Sequence, residues 1–173
     1  LEAIFWKPQF RWWVEEIQVL QPINYFSILR NEVNSKASRR AASGWEKRGG
    51  NYVAAADRTQ RHTLALRDVD YVIRAHMRLE PGVGDHPAKY RDQFRRRVRR
   101  GRCYSRPYLG CREFAARFAE PAGDEQPIAQ TMEIGRMLYD LDYDSEGRGT
   151  PYFFPARLEA GVLHVPPPSW KEG

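Results

Sequence analysis

VDYVIRAHMRLEPGVGDHPAKYRDQFRRRVRRG, residues 69–101, switches its apolar period once, and the switch sets the fold class. Over 69–79, Val69, Tyr71, Ile73, Ala75, Met77 and Leu79 fall on one side of an extended chain, and Asp70, Arg74, His76 and Arg78 on the other. Such alternation predicts a strand with one buried face, whose polar face carries two arginines. From residue 87 the apolar positions recur every fourth residue instead, at Tyr90, Phe94 and Val98. Asp85 and His86 offer a cap, Pro87 suits the first helical position and Gly101 the end, so a helix is predicted. Its apolar stripe is thin, with Arg91, Arg95, Arg96, Arg97, Arg99 and Arg100 around the rest, so it packs on one side only.

Upstream, FRWWVEEIQVL (10–20) fits a helix through Phe10, Trp13, Val14 and Ile17. It also fits a strand through Phe10, Trp12 and Val14, then Ile17 and Val19 after one phase slip. Its aromatic and β-branched residues decide for a strand, and Pro22 leads into a second extended run at 23–29. Residues 31–61 hold no sustained period and read as a long loop, functional or disordered. The opening LEAIFW (1–6) reads as the tail of a helix closed by Pro8; with no start signal and no Met ahead of it, the natural N-terminus is expected further upstream. Downstream, 104–118 reads as a strand region broken by Pro107 and Gly110, and 132–143, 151–158 and 162–165 as short strands. A tight Glu159-Ala160-Gly161 turn joins the last two, and Pro166-Pro167-Pro168 ends the folded part. The predicted architecture is α+β, a sandwich with a second, smaller β subdomain.

At 173 residues the chain is long enough to bury roughly 70% of its unfolded surface, so it builds a real core. Eight Phe, nine Tyr and five Trp exclude a disordered tail, and no apolar run approaches the roughly 20 residues of a membrane span. No membrane partner is expected. Cys103 and Cys111 fall short of a disulfide framework or a zinc site and read as small buried hydrophobes, making the cytoplasm the expected compartment.

The net charge of +6 is unevenly spread. Residues 30–61 carry eight Lys/Arg against three Asp/Glu, and 89–106 carry nine against Asp92 alone, whereas 107–173 is acidic, six against eleven. Two such blocks suit a polyphosphate backbone, through counterion release and bidentate guanidinium contacts. A solvated helix face and a disordered loop remain the alternative.

No phosphate-cradling Gly loop, zinc spacing or Ser/His/Asp signature is present, and His62, His76, His86 and His164 are scattered, so no metal and no cofactor are expected. Asp140, Asp142 and Asp144 share one side of a strand and read as a solvated face. The chemically suggestive cluster is His86, Lys89 and Tyr90 at the start of the arginine-rich helix. RNA is cut without metal when its own 2′-hydroxyl attacks the adjacent phosphorus. That needs an acceptor for the proton, a cation for the phosphorane charge and a donor for the leaving 5′-oxygen. Lys89 with Tyr90 or His86 suits those roles; alternatively Tyr90 begins the packed stripe and Lys89 is a surface charge.

Six stretches then come in one order: LEAIFWKP (1–8), LRNEV (29–33), LRDVDYVIRAH (66–76), PAKY (87–90), PYLGCREF (107–114) and MLYDLD (137–142). Together they resemble the CRISPR-associated RAMP-superfamily protein of subtype I-C systems, the "d" variety of the fifth Cas family. The resemblance implies a ferredoxin-like (RRM-like) domain over 1–120, which binds RNA and carries the catalytic site, and a small antiparallel β-sheet domain over 121–173. Family members carry a further segment ahead of LEAIFWKP that supplies the first strand and the start of the first helix. They cleave the CRISPR repeat RNA hairpin without metal, then stay with the guide RNA beside the other subunits of the subtype I-C interference complex. A catalytically silent subunit gripping the guide RNA's 5′ end is the alternative reading.

The family's catalytic set, a Tyr in the WKP segment and an adjacent Lys and His at the helix start, falls here on Phe5, Lys89 and Tyr90. Only the lysine is retained. Phe5 has no hydroxyl, and Tyr90 offers a phenol, normally titrating at roughly 10, where the family has an imidazole. Proton removal is therefore expected to be slow unless Lys89 lowers the Tyr90 pKa or His86 moves in. Arg30, Arg39, Arg40, Arg58 and Arg61 of the basic loop, and Arg91, Arg95, Arg96, Arg99 and Arg100 of the helix, are expected to hold RNA phosphates around Lys89. Trp45 and Tyr52 are expected to stack on unpaired bases.

Overall fold

A computed structural model of the chain describes residues 1–35 and 38–167. In chain order its elements are β1 (Phe10–Val19), β2 (Asn24–Val33), α1 (Arg39–Arg48), β3 (Arg58–Arg67), β4 (Tyr71–Leu79), α2 (Pro87–Arg99), β5 (Met132–Tyr143), β6 (Gly149–Glu159) and β7 (Val162–His164). The architecture is α+β with antiparallel sheets: five strands in the order β4-β1-β7-β6-β5, and β2 paired with β3. Two compact units result, one from Leu1–Pro22 with the chain from Asp70 onward, the other Ile23–Val69. The larger sheet runs across the expected boundary at residue 120, because Glu16, Ile17 and Gln18 of β1 pair with β7.

In the first unit the phase slip in β1 is a β-bulge. Val14 pairs with Ala75 and Glu16 with Arg74, so Glu15 is the extra residue. Before the bulge, Phe10 and Trp12 face α2, whose stripe meets them: Phe10 to Tyr90 at 5.3 Å, and Trp12 to Phe94 at 4.8 Å edge-on. Ile4, Phe5 and Val98 complete the buried cluster, flanked by Met77 and Leu79 of β4 and by Phe118. Burying each side chain of the stripe contributes roughly 1.5–3 kcal/mol.

The opening residues form a single turn, with the Ile4 and Phe5 amides donating to Leu1 O. Side chains and neighbouring backbone satisfy the carbonyls that follow: Tyr104 N–H donates to Ala3 O, Arg97 Nε to Ile4 O and Trp12 Nε1 to Phe5 O. Helix α2 begins where His86 Nδ1 accepts from Ala88 N–H and ends in a Schellman turn. There Gly101 at φ 60° donates to Val98 O, and Arg102 N–H donates to Arg97 O.

Strands β6 and β7 are joined through Ala160 and Gly161, both at positive φ as a type I′ turn requires. Gly161 is held from both sides, donating to Gln130 O and accepting from Val19 N–H. A Cβ there would lie 2.2 Å from Ile128 O. Gly161→Ala is therefore expected to cost about 2–4 kcal/mol and to lower the melting temperature by roughly 5–15 °C by circular dichroism. Gly147→Ala, with similar φ but nothing within 4 Å of its Cβ, should lose much less. Equal losses would refute the steric account.

Three expectations are corrected. Residues 31–61 are not a featureless loop, since β2 runs to Val33, α1 occupies Arg39–Arg48 and β3 starts at Arg58. Ser38 Oγ caps α1 by accepting from Ala41 N–H, but none of its residues is buried, so no apolar stripe marks it in the sequence. Residues 104–118 hold no strand, only the Tyr108–Ala115 bridge, because Pro107 lacks an N–H and Gly110 turns the chain at φ 79°. Cys103 is consequently exposed and Cys111 half-buried, not core residues. Pro168, the last of the expected terminal prolines, lies outside the described residues.

Candidate functional site

Because α2 begins at Pro87, Lys89 and Tyr90 stand in its first turn, with Asp85 just ahead of the cap. Lys89 Nζ donates to both carboxylate oxygens of Asp85, at 2.8 and 2.9 Å, and the Tyr90 hydroxyl donates to Asp85 Oδ2 at 2.5 Å. The Lys89 ammonium also lies 5.6 Å from the Tyr90 ring centroid. The two differ in access: the Lys89 side chain is 61% exposed, whereas Tyr90 is 3% exposed, its ring packed on Phe10.

The hydrogen bond from Lys89, then that from Tyr90, hold Asp85 below the usual carboxylate range. Its contribution to stability is thus present above that range and lost as pH falls through the depressed value. Conversely, the hydrogen bond to Asp85, then desolvation, push the Tyr90 phenol above its ordinary value. The phenol is thus raised, not lowered, beside Lys89. Lys89 is bound to Asp85, and the His86 ring is turned back onto the Ala88 amide. Phe5, 4% exposed, packs with its ring tilted 5.5 Å from that of Phe10 and reaches Tyr90 through that ring, as a core residue.

The exposed side of α2 is cationic. Lys89, Asp92, Arg95, Arg96 and Arg99 line one shallow depression. Arg91 contacts Asp92 at 3.4 Å and Arg99 contacts Glu120 at 2.8 Å. Arg95, Arg96 and Arg100 are exposed and meet no carboxylate among the described residues. Arg97 is structural, tied to Ile4 O. Four expected phosphate contacts, Arg91, Arg95, Arg96 and Arg99, thus share one element with Lys89 and Tyr90, and the fifth, Arg100, is its C-cap.

The other five lie in the second unit. Arg30 and Arg61 face each other across β2 and β3, with Glu32 at 4.0 Å from one and 3.8 Å from the other. That carboxylate offsets an otherwise repulsive cross-strand pair. Arg58 lies opposite Val33, and Arg39 opens α1. Arg40 lines a depression with Ser43, Gly44, Lys47 and Arg48. Trp45 and Tyr52 stack on each other at 6.1 Å, and the Tyr52 hydroxyl donates to Asp57.

Among the described residues no three His, Cys, Asp or Glu are gathered as a metal site, and Asp144 accepts from the 146–148 turn. No helix there is long and apolar enough to cross a membrane.

The family model for Cas5d, described as CRISPR-associated protein (Cas_Cas5), matches residues 1–166. The chain belongs to the Cas5d family. It is thereby a CRISPR-associated protein of the RAMP superfamily. Among its Cas5d relatives is the CRISPR pre-crRNA endoribonuclease Cas5d of Mannheimia succiniciproducens, 41% identical over 180 residues, covering 96% of this chain and 79% of the relative. The protein of the same name from Thermus thermophilus is 35% identical over 189 residues, covering 99% and 78%. Among solved structures, a functionally uncharacterized protein from Streptococcus mutans superposes with a TM-score of 0.65 at 19% identity, and one titled CRISPR-associated protein with 0.59 at 20%. Each covers 96% of this chain and 75% of the other, and shows a shared fold.

Sequence reasoning missed Asp85 as a member of the site, having placed it only in the cap. The usable signal was spacing: an Asp four residues before a Lys at a helix start is a pairing distance.

Proposed function

We propose that this Cas5d-family chain is a metal-independent endoribonuclease that cuts CRISPR precursor RNA at the repeat hairpin and stays bound to the guide RNA as a subunit of the subtype I-C interference complex. The observation that carries the reading is the meeting of Lys89 and Tyr90 on one carboxylate, at the head of a helix whose outer side is arginine. The Mannheimia and Thermus relatives, both named pre-crRNA endoribonucleases, support it. Lys89 moves from Asp85 onto the scissile phosphate and stabilises the phosphorane charge, while Tyr90 exchanges the proton. The catalytic frame is ferredoxin-like, with residues 1–120 carrying RNA contacts and chemistry and 121–173 supporting them. Its compartment is the cytoplasm.

Arg30, Arg39, Arg40, Arg58 and Arg61, on β2, α1 and β3, also hold RNA phosphates. On the helix, exchanging Arg95, Arg96 and Arg100 together for alanine should weaken repeat-RNA binding about tenfold. It should also flatten the dependence of log K on log salt by about 2. A filter-binding series in salt measures both, and an unchanged slope would remove α2 from the interface.

The direct test incubates the full-length protein with its own repeat RNA in excess chelator; a single cut at the hairpin is expected. Intact RNA with tight binding would favour the second reading, a catalytically silent subunit holding the guide RNA's 5′ end. Phe5, without a hydroxyl, and the raised Tyr90 phenol favour that alternative.

A further inference from the structure

Asp85 has no part in the chemistry as assigned above, yet it joins both groups that do. A carboxylate bridging an ammonium and a phenol is positioned to take a proton from the phenol. The Tyr90 ring is fixed by burial against Phe10, which leaves its hydroxyl directed at Asp85 Oδ2. While it donates there, Tyr90 can accept a second proton only by giving up the first.

We propose that Asp85 is the positioning residue of this site and works through Tyr90 as the far end of a two-step proton relay for RNA cleavage. The inference rests on the endoribonuclease reading. The 2′-hydroxyl O–H bond breaks as its proton passes to Tyr90 Oη, and the original phenolic proton passes to Asp85 Oδ2. The 2′-oxygen bonds to phosphorus, and the bond to the 5′-oxygen breaks. That oxygen takes a proton from Tyr90 Oη, which Asp85 refills, so the pair ends as it began and no base beyond the chain is needed. Lys89 keeps its charge throughout and, by leaving Asp85 for the phosphate, frees the carboxylate to receive the proton. This accounts for how a phenol serves where a phenol alone is too weak a base near neutrality. In the free protein the opposed shifts of Tyr90 and Asp85 hold the proton on the phenol, and the departure of Lys89 removes the largest cause of the Asp85 depression.

The test is Asp85→Asn, which keeps shape and one acceptor oxygen but cannot take the proton. Single-turnover cleavage at saturating repeat RNA should fall about 30-fold with RNA affinity within about threefold, and Asp85→Glu should restore part of the rate. Independently of activity, the tyrosinate absorbance assigned to Tyr90 by difference from Tyr90→Phe should titrate at lower pH in Asp85→Asn. Cleavage within threefold of the unsubstituted protein, or an unmoved Tyr90 titration, overturns the role of Asp85. If the unsubstituted protein binds but does not cut, the endoribonuclease reading fails and the relay with it. A shifted Tyr90 titration in that case places the fault in the function, not in the hydrogen bond.

Discussion

Replacing Lys89 with alanine is expected to lower the rate of repeat-RNA cleavage about 1,000-fold, with RNA affinity changed no more than about threefold. Attack of the 2′-oxygen concentrates negative charge on the non-bridging phosphate oxygens, and a single preorganised donor to such an oxyanion is worth about 10²–10³ in rate. Lys89 is the cation placed for this, since its flexible, 61% exposed side chain sits on the first turn of α2, where the helix dipole adds positive potential. Its partner in the free protein, Asp85, marks the position of a negative group that a phosphate replaces. Affinity should survive because ten arginines remain. Lys89→Arg should recover part of the rate, the planar fork matching the charge but not the point of contact. Single-turnover kinetics at saturating enzyme measure the rate, and a loss confined to binding would remove Lys89 from the chemistry.

Tyr90→Phe is expected to cut the rate about 100-fold while leaving the fold intact. The change removes one oxygen from a side chain whose ring, 3% exposed, keeps its packing on Phe10. It deletes the hydroxyl through which the proton travels, and general acid–base transfer contributes about 10²–10⁴. Asp85 then keeps only Lys89, so its depression should lessen, since Tyr90 is one of its two causes. The pairing of a small shift in melting temperature with a large loss in rate separates this from damage to the core. Normal cleavage by Tyr90→Phe would return the residue to a purely packed role.

The elements legible in the sequence were those with one face buried against a partner. β4 and α2 were read nearly to the residue because Met77 and Leu79, and Tyr90, Phe94 and Val98, meet the same core. In β1 even the irregularity was legible, the phase slip after Val14 being the bulge at Glu15. What escaped lies where burial imposes no pattern. β3 shows Leu64 and Leu66 to solvent, and α1 buries nothing, so their register rests on backbone pairing and on the Ser38 cap. The site divides in the same way. Residue identity pointed to Lys89, Tyr90 and the arginines. That Tyr90 is both a core residue and a hydrogen-bond donor, and that Asp85 receives it, depends on how the chain enters α2, which only coordinates show.

The end groups of the RNA fragments test the central claim most directly. After incubation of the full-length protein with its own repeat RNA in chelator, the fragment upstream of the cut should end in a 2′,3′-cyclic phosphate and the downstream one begin with a 5′-hydroxyl, as attack by the neighbouring 2′-oxygen requires. A 3′-hydroxyl paired with a 5′-phosphate would mean that water, not the RNA itself, attacks phosphorus, and would contradict the account.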